Sequence, residues 1–272
     1  MKSILVPTDF SDCAEEAVKM ALAIAKRARS HICFLHLFRE QSVVSTIPHA
    51  GHYNPIANAD DKRANRNLSE LVMRAERSGL EATPVLIRSM DMKEITNYTA
   101  NCSADLIVMG SHGATGFKEF FIGSNAQYVV RHASVPVIVV KKIPEISEIR
   151  NIVFASTFRE DMTKPFSKVV DLAKLLDASI DMLFVALNIS QIKEHRGEAA
   201  MLQIADKFPG LSFTRNRIDT NDEEWGIEHF VHMYSTDMIA ISKNEYSGVF
   251  KILSRNIAEL LVKHEVTPVM VV

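Results

Sequence analysis

The chain has 272 residues, 47% of them hydrophobic, and a net charge of −2, which is material for one large or two ordinary domains without a strong electrostatic bias. Nucleic acid is therefore not an expected partner, and the basic cluster Lys26-Arg27-Ala28-Arg29 reads as the solvated last turn of a helix. Too few apolar residues precede Asp9 for a signal peptide, and no run approaches the roughly 20 apolar residues of a membrane span, so a soluble, cytoplasmic protein is expected.

In chain order, strands are predicted near 3–8, 31–38, 83–88, 105–110 and 136–141, with helices over about 12–28, 60–79, 92–102 and 124–133. In the first helix Ala14, Val18, Ala21, Leu22 and Ala25 form an apolar stripe behind Ser11 or Asp12 as N-cap. Leu106 to Met109 is a short apolar run between Asp105 and Gly110, as expected of a parallel strand buried on both faces. Gly110 and Gly113 follow at its exit, where a backbone without side chains can turn sharply and approach a ligand. Gly123-Ser124-Asn125 then opens a helical segment whose free N–H groups and positive dipole end favour an anion. Taken singly, Gly110 is equally a strand-exit turn, Ser124 a cap, and Asp9 a turn residue ahead of a helix.

The spacing G-x2-G-x9-G-S over Gly110, Gly113, Gly123 and Ser124 resembles the nucleotide-binding signature of the universal stress protein family. ILVPTDFS (Ile4 to Ser11), FLHLF (Phe34 to Phe38) and Lys141 after VPVIVV extend the resemblance over residues 1 to about 141. The resemblance implies an adenine nucleotide, ATP or AMP or ADP. Asp9 would meet the ribose or adenine edge, the backbone of Leu37 would face adenine, and ribose and phosphates would lie over Gly110, Gly113, Gly123, Ser124 and Asn125. Thr8 and His112 would line the pocket.

The second half repeats the first. Residues 105–140 align without a gap on 237–272, placing Asp105 on Asp237, His132 on His264 and Pro136 on Pro268, while ILVPTDF aligns with IVFASTF (Ile152 to Phe158). The register differs by 148 residues at the front and 132 at the back, so the first half carries 16 extra residues, expected within 39–60. Second-half strands are predicted near 150–155, 179–186, 211–216, 237–242 and 268–272. The expected fold is α/β: two tandem doubly wound domains, 1–142 and 148–272, each a five-stranded parallel sheet flanked by helices. In the resembled family fifth strands pair edge to edge, so an intrachain pseudo-dimer is expected, with a homodimer as the wider alternative; VPVIVV and TPVMVV are apolar edges that need such cover.

Through the same alignment Gly110 becomes Ser242, Gly113 becomes Glu245, Gly123 becomes Arg255, Ser124 becomes Asn256 and Asp9 becomes Thr157, so the second site reads as dismantled. In the first half there is no G-x4-G-K-[ST] sequence, nothing fixes Lys118 toward a phosphate, and no paired carboxylates stand near Gly110 to Asn125. Nucleotide binding without efficient hydrolysis is expected, with magnesium arriving with the nucleotide. The alternatives are slow ATP turnover or autophosphorylation on Ser111, Thr115 or Ser124, and a nucleotide-independent scaffold. His49-Ala50-Gly51-His52 matches the H-x-G-H of nucleotidyltransferases but lies after the second strand rather than the first. A metal shared by His49, His52 and Asp60 or Asp61 is less favoured than a mobile polar loop, and His36 reads as a hydrogen-bonded core residue. Cys13, Cys33 and Cys102 lack CxxC spacing and read as buried free thiols, with Cys13 alone near the site. The role implied by the resemblance is nucleotide-sensitive regulation in the stress response, through an unidentified protein partner.

Overall fold

A computed structural model describes residues 1–38, 55–89, 91–112, 123–141, 149–158, 160–187, 194–209, 211, 213–242, 261 and 267–272. In the first half β1 (Ser3–Pro7), β2 (His31–Phe38), β3 (Ala82–Arg88), β4 (Leu106–Gly110) and β5 (Val137–Val140) alternate with α1 (Asp12–Ala28), α2 (Pro55–Arg77), α3 (Lys93–Asn101) and α4 (Ser124–His132). The second half supplies β6 (Asn151–Ser156), α5 (Thr163–Leu176), β7 (Ser179–Leu187), α6 (Glu194–Asp206), β8 (Phe213–Thr220), α7 (Glu223–Met233), β9 (Met238–Ile241) and β10 (Val269–Val271).

All ten strands form one sheet in the order β3-β2-β1-β4-β5-β10-β9-β6-β7-β8. Within each half the pairs are parallel; β10 and β5 meet antiparallel, with Met270 opposite Ile138. Strand residues alternate between two apolar layers. Ile4, Val6, Phe34, Val108 and Ile138 face α1, α2, α5 and α6, and Leu5, Leu35, Ile107 and Val139 face α3, α4 and α7. Each layer runs through both halves, which is the double-sided burial expected of parallel strands.

Ser11 is the N-cap of α1, its hydroxyl accepting from Ala14 N at 3.3 Å, a contact worth about 1 kcal/mol. The predicted stripe of α1 is buried apart from Leu22, which is partly covered. Local devices recur 148 residues apart: Arg29 and Asp177 end α1 and α5 in the left-handed region, and Phe10 and Phe158 turn out of β1 and β6 at φ 63° and 50°. Asp105 and Asp237 each accept from the N–H groups at the start of the half's first strand, Lys2 and Ser3 in one case and Arg150 and Asn151 in the other.

Two boundaries differ from expectation. Helix α2 begins at Pro55 rather than near 60, because proline at a first helical position lacks only an N–H that would go unpaired there. Strand β8 runs to Thr220 rather than 216, since pairing with β7 through Leu187↔Thr220 sets its length and its polar residues lie on an open edge. The expected insertion at 39–60 lies outside the described residues up to 54. Met270→Ala, which empties a 2% exposed position facing Ile138 at the joint between the halves, is expected to cost about 2–5 kcal/mol, read as a lower urea midpoint.

Candidate functional site

Along the sheet the chain moves from β1 to β2 and β3 on one side, then crosses to β4 on the other. The carboxyl ends of β1 and β4 therefore flank the switch point of a doubly wound sheet, where no helix can close the crevice. A cavity of about 390 Å³ lies there, lined by Thr8, Asp9, Leu37, Gly110, His112, Gly123, Ser124 and Asn125, together with Pro7, His36, Phe38, Ile95, Met109 and Ser111. Eight of the nine sequence-derived site residues thus meet around one space; the ninth, Gly113, lies outside the described residues, as do Thr115, Lys118, His49 and His52.

The floor is built from backbone hydrogen bonds. Thr8 N donates to Leu35 O at 2.8 Å, Ser111 N to Val140 O at 2.9 Å, and Gly123 N to Ser111 O at 2.7 Å, which ties the start of α4 to the exit of β4. Gly123 is the N-cap of α4 in extended conformation, without a side-chain cap and with no acidic residue in the first turn. No acidic residue of the helix's own first turn therefore meets the N-terminal dipole of α4. Among the described lining residues there is no lysine or arginine.

Asp9 is exposed at the rim, and its Oδ1 accepts from Ser11 N at 3.1 Å and Ser11 Oγ at 2.6 Å. The turn role and a position on the cavity therefore belong to the same carboxylate. Thr8 Oγ1 accepts from Phe10 N at 3.1 Å, holding the left-handed turn. His36 is half-buried rather than a core residue; its Nδ1 donates to Thr8 O at 2.8 Å, which leaves Nε2 as an acceptor in the neutral ring, and Phe10 packs on it at 4.7 Å between centroids. Sequence reasoning missed His36 as a lining residue because strand alternation does not mark which position lies at the open end of the sheet. His112 hydrogen-bonds Ser111 Oγ through Nδ1 at 2.9 Å.

Gly110 owes its identity to the helix beside it. A Cβ there would lie 2.9 Å from the carbonyl carbon of Cys13 and 3.0 Å from Ala14 N, both backbone atoms of the first turn of α1. In the second half the corresponding Ser242 carries a side chain, and α5 starts at Thr163, three residues later than the 148-residue register with α1 would place it. Phe184 stands where His36 does, Phe158 packs edge-on against it at 6.3 Å, and Gly197 of α6 is so close that a Cβ would meet the Phe184 ring at 2.4 Å and Thr157 O at 3.0 Å. Thr157 and Phe158 are both buried. Glu245, Arg255 and Asn256 lie outside the described residues.

Asp60 pairs with Arg63 at 3.1 Å and Asp61 with Arg88, so these carboxylates are already engaged, and among the described residues no group of three or more His, Cys, Asp or Glu could hold a metal. No helix among them is long and apolar enough to cross a membrane.

Parallel strands flanked by helices, with a crevice at the point where the strand order reverses, define a doubly wound α/β protein. The universal stress protein family profile matches residues 1–141, and the chain belongs to that family. Universal stress protein MJ0531 of Methanocaldococcus jannaschii is 32% identical over 141 residues, covering 52% of this chain and 82% of the relative. Universal stress protein YxiE of Bacillus subtilis is 30% identical over 145 residues, covering 51% and 97%. Over the whole chain, a universal stress protein from Archaeoglobus fulgidus has the same fold, with a TM-score of 0.75 at 17% identity over 99% of this chain and 95% of that one.

Gly110→Ala is expected to push the first turn of α1 away from β4 and to destabilise the protein by about 1–3 kcal/mol, measured by urea unfolding with no ligand present.

Proposed function

We propose that this protein binds ATP or another adenine nucleotide in its first half, residues 1–142, and serves as a stress-response regulator in the cytoplasm without efficient hydrolysis. The observation that carries the reading is the convergence of Thr8, Asp9, Leu37, Gly110, His112, Gly123, Ser124 and Asn125 on one cavity beside the open N-terminus of α4. N–H groups at a helix start suit phosphate, and the apolar wall of Leu37, Ile95 and Met109 suits a flat base. Family membership supports the same ligand class.

The described lining supports the reading of binding without turnover. It offers no lysine or arginine to take up charge developing on a transferred phosphoryl group, and no carboxylate pair to hold magnesium, which would accompany the nucleotide. The second half, residues 148–272, is proposed as a degenerate universal stress protein domain. Phe184 and Thr157 stand where His36 and Asp9 stand in the first half, while its β10 covers the open edge of β5. Its role is to complete the sheet and to present a surface to a protein partner.

Calorimetry with protein stripped of copurified nucleotide tests this reading. ATP or AMP is expected to bind near one per chain, and Gly123→Arg, which copies the second half's residue into the first site, is expected to weaken binding at least about tenfold, or ~1.4 kcal/mol. No heat of binding with wild-type protein would overturn the nucleotide reading in favour of a scaffold. Phosphate release at ordinary enzymatic rates would overturn the proposal of binding without hydrolysis.

A further inference from the structure

A second cavity, of about 380 Å³, opens between α1 and α2, and Thr8 is the one described residue that lines both it and the first. Its apolar wall is formed by Phe10, Val18 and Leu71, all of which pack in the layer that α1 and α2 cover. Phe10 is the residue at positive φ after β1; its N–H is held by Thr8 Oγ1 and its ring packs on His36. The turn Thr8–Asp9–Phe10 thus stands between the two cavities, with Asp9 on one and Phe10 on the other.

The polar part of the wall carries an excess of negative charge. Asn67, Glu70, Leu71 and Arg74 are spaced i, i+3, i+4 and i+7, so one face of α2 supplies them all. Arg74 Nη1 donates to Glu15 Oε1 of α1, and this ion pair, with both side chains 39% exposed, cancels one positive charge against one negative. The charge left over is that of Glu70, which has no ion pair or hydrogen bond among the described residues. Arg66, a turn earlier on α2, is exposed and lies outside the described lining. The half-buried Asn67 amide is also without a partner among the described residues, so its oxygen can accept beside the Glu70 carboxylate.

The second half lacks this combination. In the 148-residue register Val18 becomes Phe166, whose ring lies 5.3 Å from those of Phe208 and Phe213. Glu15 becomes Thr163, whose hydroxyl accepts from Lys207 Nζ at 2.8 Å. The turn that carries Phe10 and Phe158 is common to both halves, whereas the carboxylates are particular to the first.

We propose that the cavity between α1 and α2 is a second ligand site, which takes a small organic cation, a primary ammonium carried on an apolar body. The ammonium donates to Glu70 and to the Asn67 oxygen, and the body rests on Phe10, Val18 and Leu71. An aromatic ring beside a carboxylate favours that pairing of charge and apolar surface over an anion or a neutral polar molecule. An occupant resting on Phe10 touches the turn that carries Asp9, yet it uses no residue of the first cavity except Thr8. The site therefore stands apart from the nucleotide reading.

The test is calorimetry on the full chain, stripped of nucleotide, with phenethylammonium as the probe and phenethyl alcohol and phenylpropanoate as its neutral and anionic counterparts. The ammonium is expected to bind near one per chain and at least about tenfold more tightly than either counterpart. Glu70→Gln should weaken it about tenfold with the urea midpoint unchanged, and Asn67→Trp, which puts a bulky ring in the opening, should abolish it. ATP or AMP binding, measured separately, should be unchanged in Glu70→Gln, so failure of either reading leaves the other standing. No ammonium binding, equal affinity for the alcohol, unchanged affinity in Glu70→Gln, or binding that survives Asn67→Trp would each overturn the proposal.

Discussion

The antiparallel joint between β5 and β10 is the constraint on which the rest of the molecule depends. A half ending in Val137–Val140 or Val269–Val271 alone would leave a fully apolar strand with a row of unpaired N–H and C=O groups. Pairing the two closes both edges at once and merges two five-stranded sheets into one, so the apolar layers run without interruption from β3 to β8. The edges that remain are of a different kind. Strand β3 contains Pro84, and β8 carries Arg215, Arg217 and Asp219 along an exposed run, both of which discourage a further strand.

Because the joint is antiparallel while each half is parallel, the carboxyl ends of the two sets of strands point in opposite directions. The two switch points therefore cannot share a ligand. Helices α1 and α5 meet across the joint, where the Arg27 guanidinium donates to Leu176 O and closes one of the orphan carbonyls at the end of α5. The halves can thus hold each other in place.

The two halves carry different side chains at their strand ends. In the first half Gly110 lets the first turn of α1 come within backbone contact of β4, and the polar, half-buried His36 faces the crevice. In the second half Ser242 occupies the glycine's place, α5 starts later, and Phe184 packs against Phe158 and Gly197 of α6. The same turn, with an aromatic residue at positive φ whose N–H is held by a Thr or Ser hydroxyl, survives in both halves, so the frame was kept while the lining changed.

The amino-acid sequence determined the alternation of strands and helices, the repeat and the membership of the glycine-rich loop, because buried parallel strands require apolar runs and a phosphate-type loop requires glycine and a helix start at fixed spacing. It placed Asp105 and Asp237 in register without showing why, since their shared work of capping the first strand's N–H groups links residues some 85 to 103 positions apart. The extent of β8 was not legible because its polar run has no pattern of its own and takes its length from β7. Only the tertiary structure decided that Gly110 serves helix packing and that His36 opens on the cavity. These are long-range contacts fixed by the order of strands in the sheet, and spacing along the chain carries no record of that order.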